Sequence, residues 1–358
     1  MSQNRITHRN HFVAESYLQR WNNSESKVAS YRLLVPHDSM PVWSTKPPRS
    51  ICYIEHLYTR IQDGGESDEF ERYLSRNFEE PARDPMLRAL ADQRLSPEDW
   101  HHLVRFVACH DARTPKQMAQ MVELLQRTMQ DHLDNTLDEA RLKLVSGDPL
   151  PEIPPLAEYT SLLPLRLSTI VPDDRRENVT IRAHALIGRS AALYGLTHKL
   201  EETIKVLYRQ RWTILRAPQG VHWHTSDNPV VKVDIHPNGT YQFSQAWGTP
   251  GTLIFMPLSP THIIYTVIGH RSPQRGEEVS AAYANELQRL IIANAYRYIF
   301  AAEVNPSIEL QRPRTVDIEA YRNERTYWTN FHTEQTQAEN EFNEAHSAHR
   351  TSVSTSPR

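Results

Sequence analysis

Apolar positions recur most regularly between Ser96 and about Val145, at intervals of three and four residues. Trp100, Leu103, Val104, Val107 and Ala108 form one stripe, preceded by Ser96 as N-cap, Pro97 and the acidic pair Glu98 and Asp99, so a helix is predicted to start there. Thr114 and Pro115 restart the pattern, and Met118, Met121, Val122, Leu125, Met129, Leu133 and Leu137 predict a second, longer helix. Shorter helices are predicted over His8–Trp21, from near Ser67, over Glu177–Tyr194 and over Val279–Ala302, with a strand over Lys27–Val35 and a structured segment over Ile51–Ile61. The Pro-rich stretch 147–164 reads as a linker or long loop.

After residue 210 the period shortens. The runs RWTILRAP, VHWHTSDNPVVKVD, TLIFMPLSP and HIIYTVIG, separated by Gly, Pro and Asn, predict antiparallel strands. The expected fold class is α+β, mainly helical, with a small antiparallel sheet in the C-terminal half. The expected organisation is one domain over 7–305, with a helical lobe at 67–200 and a strand-rich region at 210–305, then an extension at 306–340 and a disordered tail at 341–358.

Composition narrows the function. With 40 Lys+Arg against 43 Asp+Glu, the net charge of -3 argues against attachment to nucleic acid by bulk electrostatics, though it permits a local basic groove. Cys52 and Cys109 allow one disulfide at most and no Cys-based metal cluster. No apolar run is long enough for a signal peptide or a membrane span, so a soluble cytoplasmic protein with no membrane partner is expected. Neither a GxGxxG nor a Walker loop is present, so no nucleotide cofactor is expected.

Four places carry titratable or anion-binding groups. His11, in RNHFVAESYLQRW, is a candidate proton carrier or metal ligand, or a hydrogen-bonded structural histidine, and Asn10 is placed to position the backbone beside it. Glu55 and His56 fall in an irregular segment from which either can face a cleft, and Glu55 with Glu71 offers two carboxylates for an ion or for acid–base work. Arg113, at a helix-to-helix corner, suits a phosphate or carboxylate because its planar fork makes two hydrogen bonds, or it locks the corner itself. In VHWHTSDNPVV, Asp227 and Asn228 follow a short extended run at a turn closed by Pro229, a geometry fit for a metal ligand and equally for an Asx-turn.

The order of these motifs resembles a bacterial domain of unknown function family, the one numbered 4238. The likeness rests on Asn10-His11-Phe12-Val13, Tyr17-Leu18 and Trp21, Ile54-Glu55, Arg113-Thr114-Pro115 and Thr225-Ser226-Asp227-Asn228-Pro229, and it spans roughly Thr7 to Asn305. Ala14 stands where members carry proline, which bears on the local turn. The resemblance implies importance for Asn10, His11, Glu55, Arg113, Asp227, Asn228 and the late Asn294, but supplies no reaction.

The residues themselves point to a metal-assisted hydrolase, a phosphodiesterase or nuclease acting on nucleic acid or another phosphorylated substrate. In that reading Glu55, Asp227 and His11 hold a divalent ion such as Mg or Mn. His11, Arg113 and Asp227 are catalytic, and Asn10, Asn228 and Asn294 orient the site. The alternative is a non-enzymatic binding or regulatory protein in which these groups form a buried polar network and the 114–145 helix meets a protein partner.

Overall fold

In the computed structural model, the described residues are 6–62, 64–147, 163–170, 180–236, 238, 240–243 and 247–353. The chain opens with strand β1 (Arg9–His11), the one-turn helix α1 (Glu15–Leu18) and a 3-10 turn through Trp21, where a single longer helix was expected. Apolar residues spaced only roughly for one face do not sustain a helix. Here they turn Tyr17, Leu18 and Trp21 into the core instead.

Strands β2 (Val28–Arg32), β3 (Leu34–Val35), β4 (Trp43–Lys46) and β5 (Tyr53–Glu55) follow, then the hairpin β6 (Arg60–Gln62) and β7 (Gly65–Ser67). β5 pairs antiparallel with β1, Glu55 opposite Arg9 and Tyr53 opposite His11. Helix α2 (Glu69–Leu74) runs through a π-helical stretch, Ser75–Glu79, into α3 (Glu80–Leu90).

Helix α4 (Pro97–Ala112) begins where the pattern places it, and Ser96 and Asp99 exchange hydrogen bonds as a capping box. Helix α5 (Pro115–Ser146) begins at Thr114, whose hydroxyl accepts from Gln117 N. Met118, Met121 and Met129 are buried, whereas Leu124, Leu142 and Val145 face outward.

The segment 147–164 lies almost wholly outside the described residues. Beyond it, strands β8 (Leu165–Ile170) and β9 (Thr180–Ala185) form an antiparallel pair, and α6 spans Arg189–Leu207. This corrects the helix expected over Glu177–Tyr194, whose first residues also fall outside the described ones. Within the described residues Thr180–Ala185 is strand, and the helix begins only after Gly188.

The strand-rich region contains β10 (Thr213–Arg216), β11 (Thr225–Ser226), β12 (Val231–Ile235), β13 (Tyr241–Phe243), β14 (Leu253–Ser259) and β15 (His262–Val267). Five of these form one antiparallel sheet in the order β10-β15-β14-β12-β13. Helix α7 (Ala281–Asn294) packs Ala284, Leu287, Leu290 and Ile291 against Leu253, Phe255 and Ile263. The alternate residues Ile254, Met256 and Ile264 join the core that holds α4 and α6. Both faces are thus covered, which is why every residue of β14 is buried and the run reads as continuously apolar. The final helix was expected to reach Ala302, but α7 ends at Asn294 and strand β16 (Tyr298–Ala301) follows. β16 joins N-terminal and C-terminal segments in a second sheet, β11-β16-β2-β4.

After a short α8 (Ser307–Gln311), strand β17 (Thr315–Val316) pairs parallel with β3. The chain then forms α9 (Ile318–Val353), which takes up the expected extension from residue 318 and continues as helix into the stretch expected to be a disordered tail. One buried ion pair docks it: Arg189 Nη2 lies 2.7 Å from Glu339 Oε2, with side chains 0% and 4% exposed. Glu339 also accepts from Ser190 Oγ at 2.7 Å and from Ile61 N at 2.8 Å. Gln335 Oε1 accepts from Arg189 N at 2.6 Å, supplying from α9 the cap that the N-terminus of α6 lacks in its own sequence. A Cβ on Gly188 would sit 2.3 Å from that same oxygen, so glycine at 188 preserves the cap.

The fold is α+β and helix-dominated, with several small antiparallel sheets and one parallel strand pair. Replacing Glu339 by Ala leaves the Arg189 guanidinium buried without its counter-charge and is expected to cost about 3–5 kcal/mol of unfolding free energy in a urea titration. A chain ending at residue 345 keeps Glu339 and is expected to hold the parent midpoint. Equal midpoints for all three proteins would show that the ion pair does not dock the helix.

Candidate functional site

A cavity of about 690 Å³ opens between β5, the β16 region and α9. Its wall includes Arg32, Lys46, Lys116, Arg297 and Arg325 against Glu55, Asp227 and Glu324, so cations outnumber carboxylates. Arg297 is paired with Glu324 and stacks on Tyr296, and Arg32 lies over Tyr298 and Tyr321. Lys46, Lys116 and Arg325 have no ion pair among the described residues and stand ready for an anion.

Strand β5 crosses this wall between two residues in the left-handed region, Cys52 at φ 55° and His56 at φ 57°. Neither is glycine, so each conformation costs on the order of 1–2 kcal/mol that neighbouring contacts must offset. For His56 those contacts are visible. Its N–H donates to His8 O at 2.7 Å, and its ring stacks on His332 with centroids 3.7 Å apart and planes 14° from parallel.

The bend brings His56 to His8 and Glu66. The two Nδ1 atoms are 3.4 Å apart, and the carboxylate oxygens of Glu66 lie 3.9 Å from His8 Nδ1 and 4.0 Å from His56 Nδ1. All three offer ligand atoms within 4.8 Å of one another. An ion with bonds of roughly 2.0–2.1 Å in tetrahedral geometry holds two nitrogens about 3.4 Å apart, so the two imidazoles already sit at ligand spacing. Burial, and then the neighbouring His332, hold His56 below its ordinary pKa, which keeps the ring neutral and its lone pair available at pH 7. His56 and His332 reach the cavity wall. His8 and Glu66 complete the cluster beside it.

The residues singled out in the sequence fall into two groups. Glu55 and Asp227 share the cavity wall, as do Asn228 and the backbone around Tyr296. Glu55 is exposed, 3.9 Å from Arg9 on the paired strand. Asp227 is 4% exposed, and its two oxygens accept from Tyr296 N at 2.8 Å and Arg297 N at 2.7 Å, closing the corner between α7 and β16. Burial pushes its carboxyl up to about 6, against the pull of those N–H donors. Asn228 and Asn294 brace the same corner: Asn228 Nδ2 donates to Asn294 O at 3.0 Å, and Asn294 Nδ2 donates to Asn228 O at 2.8 Å and Val230 O at 2.9 Å.

His11 and Arg113 are absent from the residues lining this cavity. Arg113 is buried, donates to Glu79 and to His11 O, lies 3.8 Å from Glu71, and its own carbonyl accepts from the Tyr58 hydroxyl. Asn10 joins this network by accepting from Tyr58 N at 3.0 Å and donating to Thr7 O at 3.2 Å. Burial raises Glu79 and Glu71 alike, but the close Arg113 overcomes it at Glu79, held below its ordinary value, and not at Glu71, pushed up to about 7. The His11 ring packs against Tyr53, with Nε2 buried and without a hydrogen-bond partner among the described residues. Cys52 and Cys109 are free and buried.

The sequence allowed either Glu55 or His56 to face a cleft but gave no role to His8, Glu66 or His332. The alternation in Arg60–Ser67 and the Gly64-Gly65 turn signal the hairpin that carries Glu66, yet nothing local links it to residue 8 or to residue 332.

Asp227→Asn tests the corner. One oxygen becomes an NH2 group facing a backbone donor, so the substitution is expected to cost about 1–3 kcal/mol of stability and to leave divalent-ion affinity unchanged, read by urea unfolding and calorimetry. Lost affinity with parent stability would instead make Asp227 a ligand. His110 offers a pH signature. It is fully buried, Nδ1 donates to Phe106 O at 3.0 Å, and burial drives its pKa down to about 3. The unfolded chain protonates it near its ordinary value, so its stabilising share is full above roughly pH 6.5 and is lost as pH falls toward 3. In His110→Gln the fall in unfolding free energy between pH 6.5 and 4 is expected to be shallower by up to about 1.4 kcal/mol per pH unit. Identical acid limbs would contradict this.

No helix among the described residues is long and apolar enough to cross a membrane. No curated protein and no solved structure matches the chain. The model of the family described as protein of unknown function (DUF4238) matches residues 9–304, most of the chain, and includes β1, the Arg113 corner and the Asp227 turn. On that match, and on the motifs that carry it, the chain belongs to the DUF4238 family.

Proposed function

We propose that this protein is a metal-assisted hydrolase acting on a phosphorylated substrate, with a phosphodiester in a nucleic acid as the favoured class. The observation that carries the reading is the His8, His56 and Glu66 donor set beside a cavity whose wall offers Lys46, Lys116 and Arg325 to an anion. Two imidazoles and a carboxylate suit a transition ion of the zinc or manganese class better than magnesium, which prefers oxygen donors and keeps several waters. Such an ion lowers the pKa of bound water and polarises a phosphoryl oxygen. The chain's cations draw the substrate in and offset charge on its phosphoryl group, and Glu55, exposed on the cavity wall beside His56, is the carboxylate suited to accept a proton. Tyr53, Tyr298 and Trp328 on the same wall provide faces for an unpaired base.

A binding or regulatory role has support of its own. Arg113, Asp227, Asn228 and Asn294 spend their hydrogen bonds on neighbouring chain, and the exposed Leu142 and Val145 on α5 suit a protein partner.

The deciding experiment follows cleavage of bis(p-nitrophenyl) phosphate and of a single-stranded oligonucleotide after reconstitution with Zn2+, Mn2+ or Mg2+. Parent protein is expected to turn over with Zn2+ or Mn2+, and His56→Ala to lose that activity while still unfolding cooperatively as the apo protein. No turnover with any ion, alongside tight oligonucleotide binding, would favour the binding reading.

A further inference from the structure

We infer that the C-terminal helix α9, which lies beyond the family match, completes this metal site through His332, a positioning residue that holds two of the three ligands. The inference rests on the metal reading above. Arg189 fixes the state of His332. Its guanidinium has five N–H groups and no acceptor, and all five are placed. Nε donates to Glu339 Oε1 at 3.2 Å, and Nη2 to Glu339 Oε2 at 2.7 Å and Thr336 Oγ1 at 3.3 Å. Nη1 lies 2.9 Å from His332 Nδ1 and 3.5 Å from His56 O.

Facing an obligate donor, His332 Nδ1 must accept, so the neutral ring carries its proton on Nε2. That nitrogen is 3.0 Å from Glu66 Oε1 and donates to it. With Oε1 engaged, Glu66 presents Oε2 toward His8 Nδ1 at 3.9 Å. The other face of the device is the stack of the His332 ring on His56, which fixes the plane in which His56 offers Nδ1. Ligands oriented in this way by an outer hydrogen bond bind metal more tightly because less freedom is lost on coordination.

The family match ends at residue 304, whereas His332, Thr336 and Glu339 all belong to α9. The matched region therefore supplies His56 and Glu66, and the C-terminal helix supplies what orients them.

The test loads the full-length protein with Co2+ and records both its visible d–d spectrum and its dissociation constant for the parent, His332→Ala and His332→Gln, with apo melting midpoints alongside. His332→Ala is expected to weaken Co2+ binding by about 10–100-fold and to shift the spectrum, with an apo midpoint lowered only by the acceptor that Arg189 loses. His332→Gln, which keeps an acceptor for Arg189 and an N–H for Glu66, is expected to recover most of the affinity. Identical affinity and spectrum in parent and His332→Ala would overturn the positioning role and leave the metal reading standing. A drop in affinity that tracks a lowered apo midpoint and is not recovered by Gln would reduce His332 to a structural contact. A parent that binds no Co2+ at millimolar concentration would remove both the inference and the reading beneath it.

Discussion

The buried Arg189–Glu339 pair is the contact on which the rest of the candidate site depends. Taking two charges out of water is costly unless their hydrogen-bonding capacity is filled, and here it is filled almost completely. The partners come from the start of α6, the hairpin at Ile61 and the helix at 332–339. A pair that must satisfy so many donors admits few arrangements, so it sets the register of α9 against the body of the protein. Once that register is set, His332 meets His56 and Glu66, and one wall of the cavity is in place.

A second buried arginine braces the first strand pair through the carbonyl of His11. Arg113 ties the α4–α5 corner to Glu79 in the π-helical stretch and to the carbonyl of His11. Its location explains how a family motif can be polar without lining the cavity: the motif holds β1 and hence β5, and β5 carries Glu55 and leads into His56. The Asp227 turn has the same character, holding the α7–β16 corner that contributes Tyr296, Arg297 and Tyr298 to the cavity wall. The motifs brace the cavity wall, while the donor set with ligand spacing lies beside the cavity and reaches it through His56.

How much was legible in advance follows from the range of the interactions involved. The start points of α4 and α5 were readable because capping and a helical stripe are local: Ser96, Pro97 and Asp99, or Thr114 and Pro115, act within one turn. The β14 and β15 runs were readable because a strand buried on both faces is nearly continuously apolar. At the N-terminus and at 180–185 the pattern was too short or too mixed to separate helix from strand, and pairing with a distant partner decided it. Asn294 was readable as a polar residue in an apolar helix that needed partners, but its partners, Asn228 and Val230, were not.

The sequence by itself determined the fold class, the helical middle, the strand-rich later region, the family and a few polar positions, such as Arg113, Asp227 and Asn228, that the structure buries. Only the tertiary structure decided which of those groups meet. His8, His56, Glu66 and His332 are drawn from a terminal strand approach, a left-handed bend, a hairpin and the last helix. No spacing rule connects residues 56 and 332. Their meeting follows from the docking of α9 in which Arg189 and Glu339 satisfy each other and offset their desolvation cost.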